Sequence, residues 1–309
     1  MLTNKKISIV IPCYNEELNI MPLYRRLRAV LDEAAPDYEI IYIENASRDN
    51  SEQTFRELAA KDKRVKVLLM SRPFQTEPSY DAGLHHASGA CVVCMDGDQQ
   101  DPPELIKEML VKWNAGFEVI YGVRHKQEGN VQLNAMRRIF YKLLKAMSYI
   151  EVPLDAGDFC LYDARVARLL TQMPERSRFT RGLRAWIGFR HTGVEYTRDE
   201  RSRGTSSQSL HDIVRTAMLG IFSFSNVPLE LISLLALTSM GLAFIGILVH
   251  LGIYFFNGVM PRGFATMITA VFFMGGVQLL SLSIIGQYLG KIFEEVKQRP
   301  RFIVRETLN

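Results

Sequence analysis

Residues 90–104 read ACVVCMDGDQQDPPE: an apolar run, then three carboxylates within six positions, then two prolines. A buried strand that runs straight into Asp96, Asp98 and Asp101 puts its polar groups where open α/β sheets bind ligands, outside the C-terminal strand ends. The flanking sequence supports such a sheet. ISIVIP (7–12), YEIIYIE (38–44), VKVLLM (65–70), CVVCM (91–95) and EVIYG (118–122) are short apolar runs rich in β-branched residues. Helical patterns separate them, with Ile20, Leu23, Leu27, Val30 and Leu31 on one stripe and Ser51–Lys61 as the next helix. The alternation predicts an α/β fold with a mainly parallel, Rossmann-like sheet and helices on both faces.

The chain has 309 residues, a formal charge of +4 and 48% hydrophobic residues, enough for one large domain and an appendage. Charge is unevenly distributed. No Lys, Arg, Asp or Glu occurs from Leu231 to Pro261, nor from Gly263 to Gly290. Each stretch exceeds the ~20 apolar residues that cross a bilayer core, so two transmembrane helices are expected near 230–256 and 264–289. The opening MLTNKKISIVIPCYNEE has too short an apolar run for a signal peptide, so the soluble part is expected to stay in the cytoplasm. Lys291, Lys297, Arg299, Arg301 and Arg305 follow the second span, whereas the linker between spans carries only Arg262. That bias agrees with both termini lying on the cytoplasmic side of a membrane crossed twice. The expected layout is a cytoplasmic α/β domain over 1–208, an amphipathic juxtamembrane helix over 209–226, the two spans within 227–290 and a basic cytoplasmic tail over 291–309. Leu210, Ile213, Val214, Ala217, Met218, Ile221 and Phe222 give the juxtamembrane segment its apolar stripe, suited to a core helix or to the membrane interface.

Three strand ends carry polar groups together: PCYNEE (12–17), ENASRDN (44–50) and DGDQQD (96–101). A D-x-D turn supplies the oxygen ligands that Mg²⁺ or Mn²⁺ prefers, and Mg²⁺ is commonly completed by substrate phosphates and water. Alone, such a turn is as easily a solvated loop. The glycine-rich dinucleotide fingerprint and the P-loop are both absent from the sequence. Cys91 and Cys94 mimic CxxC, but within a strand they point to opposite faces and read as core residues.

The segments SIVIPCYNEELNI, IYIENASRDNS, VVCMDGDQQDPPELI, DAGDFCLYD, ERSRFTRGL and GQYLGKIFEEVKQRPRFIV together resemble family 2 glycosyltransferases of the polyprenyl-phosphate type. The nearest likeness is to bactoprenol glucosyltransferases of O-antigen (lipopolysaccharide) modification, relatives of dolichol-phosphate mannose synthase. The resemblance implies a GT-A fold and metal-dependent, inverting transfer of a hexose, glucose from UDP-glucose, to undecaprenyl or another polyprenyl phosphate. It assigns Pro12, Tyr14, Glu16, Glu44 and Asn45 to nucleotide binding, Asp96 to ribose or sugar, and Asp98 to the Mg²⁺ or Mn²⁺ ion. Asp158 in AGDF matches the catalytic-site Asp. Arg124 in YGVRHKQEG, and Arg201 and Ser206 in RSRGTS, match positions near the acceptor phosphate. The partners implied are a nucleotide sugar, a polyprenyl phosphate, the membrane and further copies of the chain, with no nucleic acid.

Some positions depart from the family pattern. Asn45 replaces a usual Asp, Cys160 and Asn134 replace frequent arginines, and RPFQTE (72–77) replaces RNFGKE. Arg137, one turn from Asn134, covers the same face if that segment is helical. These departures motivate an alternative: a catalytically weak paralogue acting as a membrane scaffold or flippase partner, or a transferase of another sugar. A processive polysaccharide synthase would need more spans and a Q-x-x-R-W motif that the sequence lacks. Among single residues, Asp101 before Pro102–Pro103 reads as a helix cap, and Arg176, Arg178, Arg181 and Arg184 read as a solvated or lipid-facing basic face. His85 and His86 show no partner. Glu230 reads as interfacial, and Gly275–Gly276 and Gly286 would permit close helix approach.

Overall fold

The computed structural model describes residues 1–124, 156–176, 178–197, 225–257 and 263–309. The expected strands and helices form in order. Strand β1 (Ile7–Cys13) leads to α1 (Glu17–Ala34), β2 (Tyr38–Glu44) to α2 (Ser51–Lys61), and β3 (Val65–Met70) to α3 (Thr76–His86). Then come β4 (Cys91–Cys94), α4 (Leu105–Asn114), β5 (Val119–Arg124), β6 (Ala156–Asp163), α5 (Ala164–Gln172), α6 (Thr180–Trp186) and β7 (His191–Tyr196). Two long apolar helices follow, α7 (Val227–Asn257) and α8 (Phe264–Lys297), and then β8 (Val304–Leu308).

The sheet has eight strands in the order β7-β5-β6-β4-β1-β2-β3-β8. Strands β3, β2, β1 and β4 run parallel, with Ile9 opposite both Ile40 and Val93. Strand β6 is antiparallel to β4 and β5, and β8 is antiparallel to β3. The sheet is therefore mixed rather than uniformly parallel. Every β1 residue except Pro12 is buried, as expected of a central strand covered by helices on both faces. The chain moves outward from β1 through β2 and β3, then returns to place β4 on the other side. Adjacent β1 and β4 thus form a topological switch point, the position at which such sheets open a ligand crevice.

Helices α7 and α8 are long and apolar enough to cross a membrane. Leu234, Leu237, Phe244, Ile247, Phe272 and Leu279 are exposed along them, an apolar surface that lipid would cover. Gly275, Gly276 and Gly286 have no atom within 4 Å of where a Cβ would lie, so they mark no close approach between the two helices. Residues 291–309, expected as a basic tail, include the end of α8 and a strand. Helix α8 continues to Lys297, and Val304–Leu308 completes the sheet edge beside β3. The catalytic sheet is therefore built from both ends of the sequence rather than from 1–208 alone. Of the expected juxtamembrane helix, only residues 225 and 226 fall within the described residues.

Candidate active site

The acidic turn starts where β4 ends. Gly97 packs against the end of β1: a Cβ there would meet Cys13 Sγ at 2.7 Å and Pro12 O at 3.1 Å. Only a residue without a side chain brings Asp96 and Asp98 this close to the neighbouring strand end. Gln99 adopts positive φ (62°) and its amide donates to Asn19 Oδ1 at 2.8 Å, tying the turn to α1. Gln100 N donates to Asp98 Oδ1 at 3.1 Å.

Asp96 accepts from Tyr80 Oη at 2.8 Å. Burial pushes the Asp96 carboxyl up to about 7, and the charges of Asp101, Asp158 and Asp98 act in the same direction, with the Tyr80 hydrogen bond opposing them. Carboxylates from β4's loop and from β6 are thus within electrostatic reach of one another. Three or more His, Cys, Asp or Glu ligands do not converge on a metal position among the described residues. The donor set nevertheless fits a divalent ion held by one or two carboxylates and completed by a substrate's phosphates, and an added cation would relieve the repulsion around Asp96.

The neighbouring loops are stitched to each other. Asn15 N donates to Ser47 Oγ at 3.0 Å and Arg48 N to Asn15 Oδ1 at 2.8 Å. Buried Glu44 accepts from Ala46 N at 3.0 Å and Ser47 N at 2.6 Å, which shapes its own turn. Asn45 clasps both backbone groups of Phe74, donating to its carbonyl at 2.6 Å and accepting from its N–H at 2.8 Å. Its amide thereby holds the 72–77 loop beside the crevice. Glu16 accepts from Asn19 Nδ2, and its N–H donates to Ser51 Oγ at 3.2 Å. Pro12 lies at the end of β1, and Tyr14 is exposed just beyond it.

Asp158 projects from β6 and is gripped by Arg181 of α6: Nε lies 3.0 Å from Oδ1 and Nη2 2.9 Å from Oδ2. For Arg178 and Arg184 the structure corrects the expectation of a solvated arginine face, whereas Arg181 stays partly exposed. Arg178 donates to Asp81 Oδ1 at 2.8 Å and to the carbonyls of Leu170 and Met173 at 2.7 Å. Arg184 is buried, donating to Gly157 O at 3.1 Å with its guanidinium 5.1 Å from the Tyr121 ring centroid. Arg176 bonds the Arg299 carbonyl at 2.6 Å, beyond the end of α8. Arg181 and Arg184, three residues apart on α6, share a helix face, while Arg178 precedes that helix. Tyr80, Glu77 and Thr180 went unnoticed in the sequence. Thr180 donates through both its N–H and its hydroxyl to Glu77. Asp101 accepts from Tyr196 Oη at 2.6 Å, and α4 begins at Leu105 without a side-chain cap, so the capping expectation fails. His85 has partners after all, with Nδ1 2.9 Å from Asp81 O and its ring 5.4 Å from that of Phe302. Cys160 is a core residue paired in register with Cys94. Arg124 closes β5, while Asn134, Arg137, Arg201 and Ser206 lie outside the described residues.

A family model described as glycosyl transferase family 2 matches residues 8–170. The uncharacterised glycosyltransferase YkcC of Bacillus subtilis (strain 168) is 39% identical, over 97% of this chain and 93% of its own. The SfII prophage-derived bactoprenol glucosyl transferase of Shigella flexneri is 34% identical, over 98% of each chain. Among solved structures, mannosyl-3-phosphoglycerate synthase from Rubrobacter xylanophilus superposes at a TM-score of 0.49 and 15% identity, over 70% of this chain and 71% of its own.

Proposed function

The chain belongs to glycosyl transferase family 2, and on that premise we propose that it transfers glucose from UDP-glucose to undecaprenyl phosphate at the cytoplasmic face of a bacterial membrane. The acceptor and sugar follow the Shigella relative's name, which stands over nearly the whole length of both chains. One observation carries the membrane assignment. After two apolar helices the chain re-enters the sheet that bears the acidic turn, through β8. If α7 and α8 cross a bilayer they do so as a hairpin, which holds both flanks on the side of the catalytic sheet.

Pro12, Tyr14, Glu16, Glu44 and Asn45 border the nucleotide side of the crevice, while Asp98, with Asp96 beside it, would hold Mg²⁺ or Mn²⁺. That ion would neutralise charge on the diphosphate. An acceptor phosphate is already anionic near neutral pH, its second pKa being about 6. Its oxygen attacks C1, the C1–O bond to the diphosphate breaks, and the electron pair departs with UDP. Attack opposite the leaving group inverts the anomeric centre. No general base is required. Asp158, whose two oxygens accept from Arg181 in the empty site, orients the acceptor rather than deprotonating it, since the phosphate brings its own charge.

The test is glycolipid formation by membranes given labelled UDP-glucose, undecaprenyl phosphate and Mg²⁺ or Mn²⁺. Wild-type protein produces labelled lipid, chelation stops it, and Asp98→Ala abolishes it without loss of folded protein. Full activity in that variant would refute the metal role. Lipid labelled only from another nucleotide sugar would replace the donor.

A further inference from the structure

The crevice holds more acids than an enzyme for two phosphorylated substrates can leave uncompensated. Asp96, Asp98, Asp101, Asp158 and Glu77 all act on its field. A site that admits an anion among carboxylates needs fixed cations at the point of contact. Among the described residues, Arg181 meets that need by position, and Asp158, which it holds by two hydrogen bonds, is itself an anion.

The pair has the features of an exchangeable contact. Its fork geometry matches a carboxylate and a phosphate equally well. Both side chains keep access to solvent, with 29% of Arg181 and 34% of Asp158 exposed, so the pair can be reached from outside and contributes little to stability. The neighbouring Arg178–Asp81 pair is different, at 7% and 2% exposed, and is structural. Behind Asp158 lies a second cation. Arg184 is 5% exposed, it donates from Nη1 to Gly157 O, and its Nη2 has no hydrogen-bond partner among the described residues. Its charge reaches Asp158, so it favours an anion at that position.

Resting on the proposed transfer reaction, we propose that Arg181 receives the acceptor's phosphate, with the Asp158 carboxylate occupying that position until the lipid arrives. The phosphate displaces the carboxylate from the guanidinium fork, and Arg184 supports the exchanged state from below. Asp158, once released, borders the attacking oxygen. It competes with the acceptor in the empty site and orients it in the filled one.

This competition has a signature that a structural ion pair lacks. With full-length protein in detergent, UDP-glucose and undecaprenyl phosphate, Arg181→Gln raises the acceptor KM by about tenfold or more, the loss of one charge-assisted bidentate contact, while the donor KM stays within about twofold. Arg181→Lys keeps the charge, folds, and recovers part of the acceptor affinity. Asp158→Asn lowers kcat and also lowers the acceptor KM, and it strengthens inhibition by inorganic phosphate, because the internal competitor is gone. An acceptor KM indifferent to both Arg181 substitutions overturns the assignment, as does an Asp158→Asn enzyme that binds the acceptor or phosphate more weakly than wild type. Absence of any transfer by the wild-type chain would instead overturn the reaction on which the assignment rests.

Discussion

Arg178 Nη1 lies 2.8 Å from Asp81 Oδ1, and Arg301 Nε lies 3.2 Å from the other oxygen of the same carboxylate. One buried acid on α3 thus joins the approach to α6 with the segment that follows α8. Burial pushes the Asp81 carboxyl up and lowers Arg178, so each charge is costly there without its partner.

Removing the shared acid leaves two guanidinium groups uncompensated. Asp81→Ala should cost about 3–5 kcal/mol, the range for breaking a buried pair. Arg301→Ala, which leaves the Arg178–Asp81 contact in place, should cost less. Thermal unfolding of the purified protein in detergent ranks the two, and equal stability of Asp81→Ala and wild type would refute the cluster's structural role.

Adding one carbon at Gly97 should displace the acidic turn without unfolding the domain. Gly97→Ala places a methyl 2.7 Å from Cys13 Sγ, so the turn must move and donor KM should rise by about tenfold or more, as when positioning is lost. Adding Cys13→Ala removes the sulfur and should restore part of the affinity. If the double variant is no better than Gly97→Ala alone, the sulfur contact is not the cause.

The Asn45 clasp on Phe74 predicts a loop phenotype. Asn45→Ala deletes two hydrogen bonds to the 72–77 loop, each worth about 1 kcal/mol net. Proteolysis near that loop should accelerate and donor affinity should fall, with acceptor KM little changed. Protease sensitivity equal to wild type would refute the clasp.

Glu77 gives a pH dependence whose sign is fixed. Burial first, and the Asp158 charge second, push its carboxyl up to about 8, against the Thr180 N–H, Arg181 and Arg178. Between about pH 4.5 and about 8 the folded protein therefore keeps a proton that the unfolded chain has released. This group's contribution to stability is most favourable below that window and declines as pH rises through it. Glu77→Gln should remove the decline, so its melting temperature gains on wild type with increasing pH. A difference that stays constant across the window contradicts the assignment.

The alternation of β-branched runs with amphipathic helices was readable because period and composition are local properties. The position of the D-G-D turn was readable as well, since the apolar run before it marks where β4 ends. Strand β8 was not, because VRETL pairs only with β3, far away in sequence, and nothing in five polar and apolar residues names that partner. The inward arginines escaped for the same reason. Arg178, Arg181 and Arg184 are basic in any sequence window, and only tertiary structure supplies Asp81, Asp158 and Gly157. The cap expected of Asp101 lost to Tyr196, which sits on another strand.

Strand β8 follows both apolar helices in the sequence, so a ribosome makes it after them. Until it arrives, the outer edge of β3 presents unpaired backbone groups, a template for association with other chains. Completion of the sheet therefore waits on synthesis of both apolar helices, and a nascent chain halted before residues 304–308 would carry that open edge.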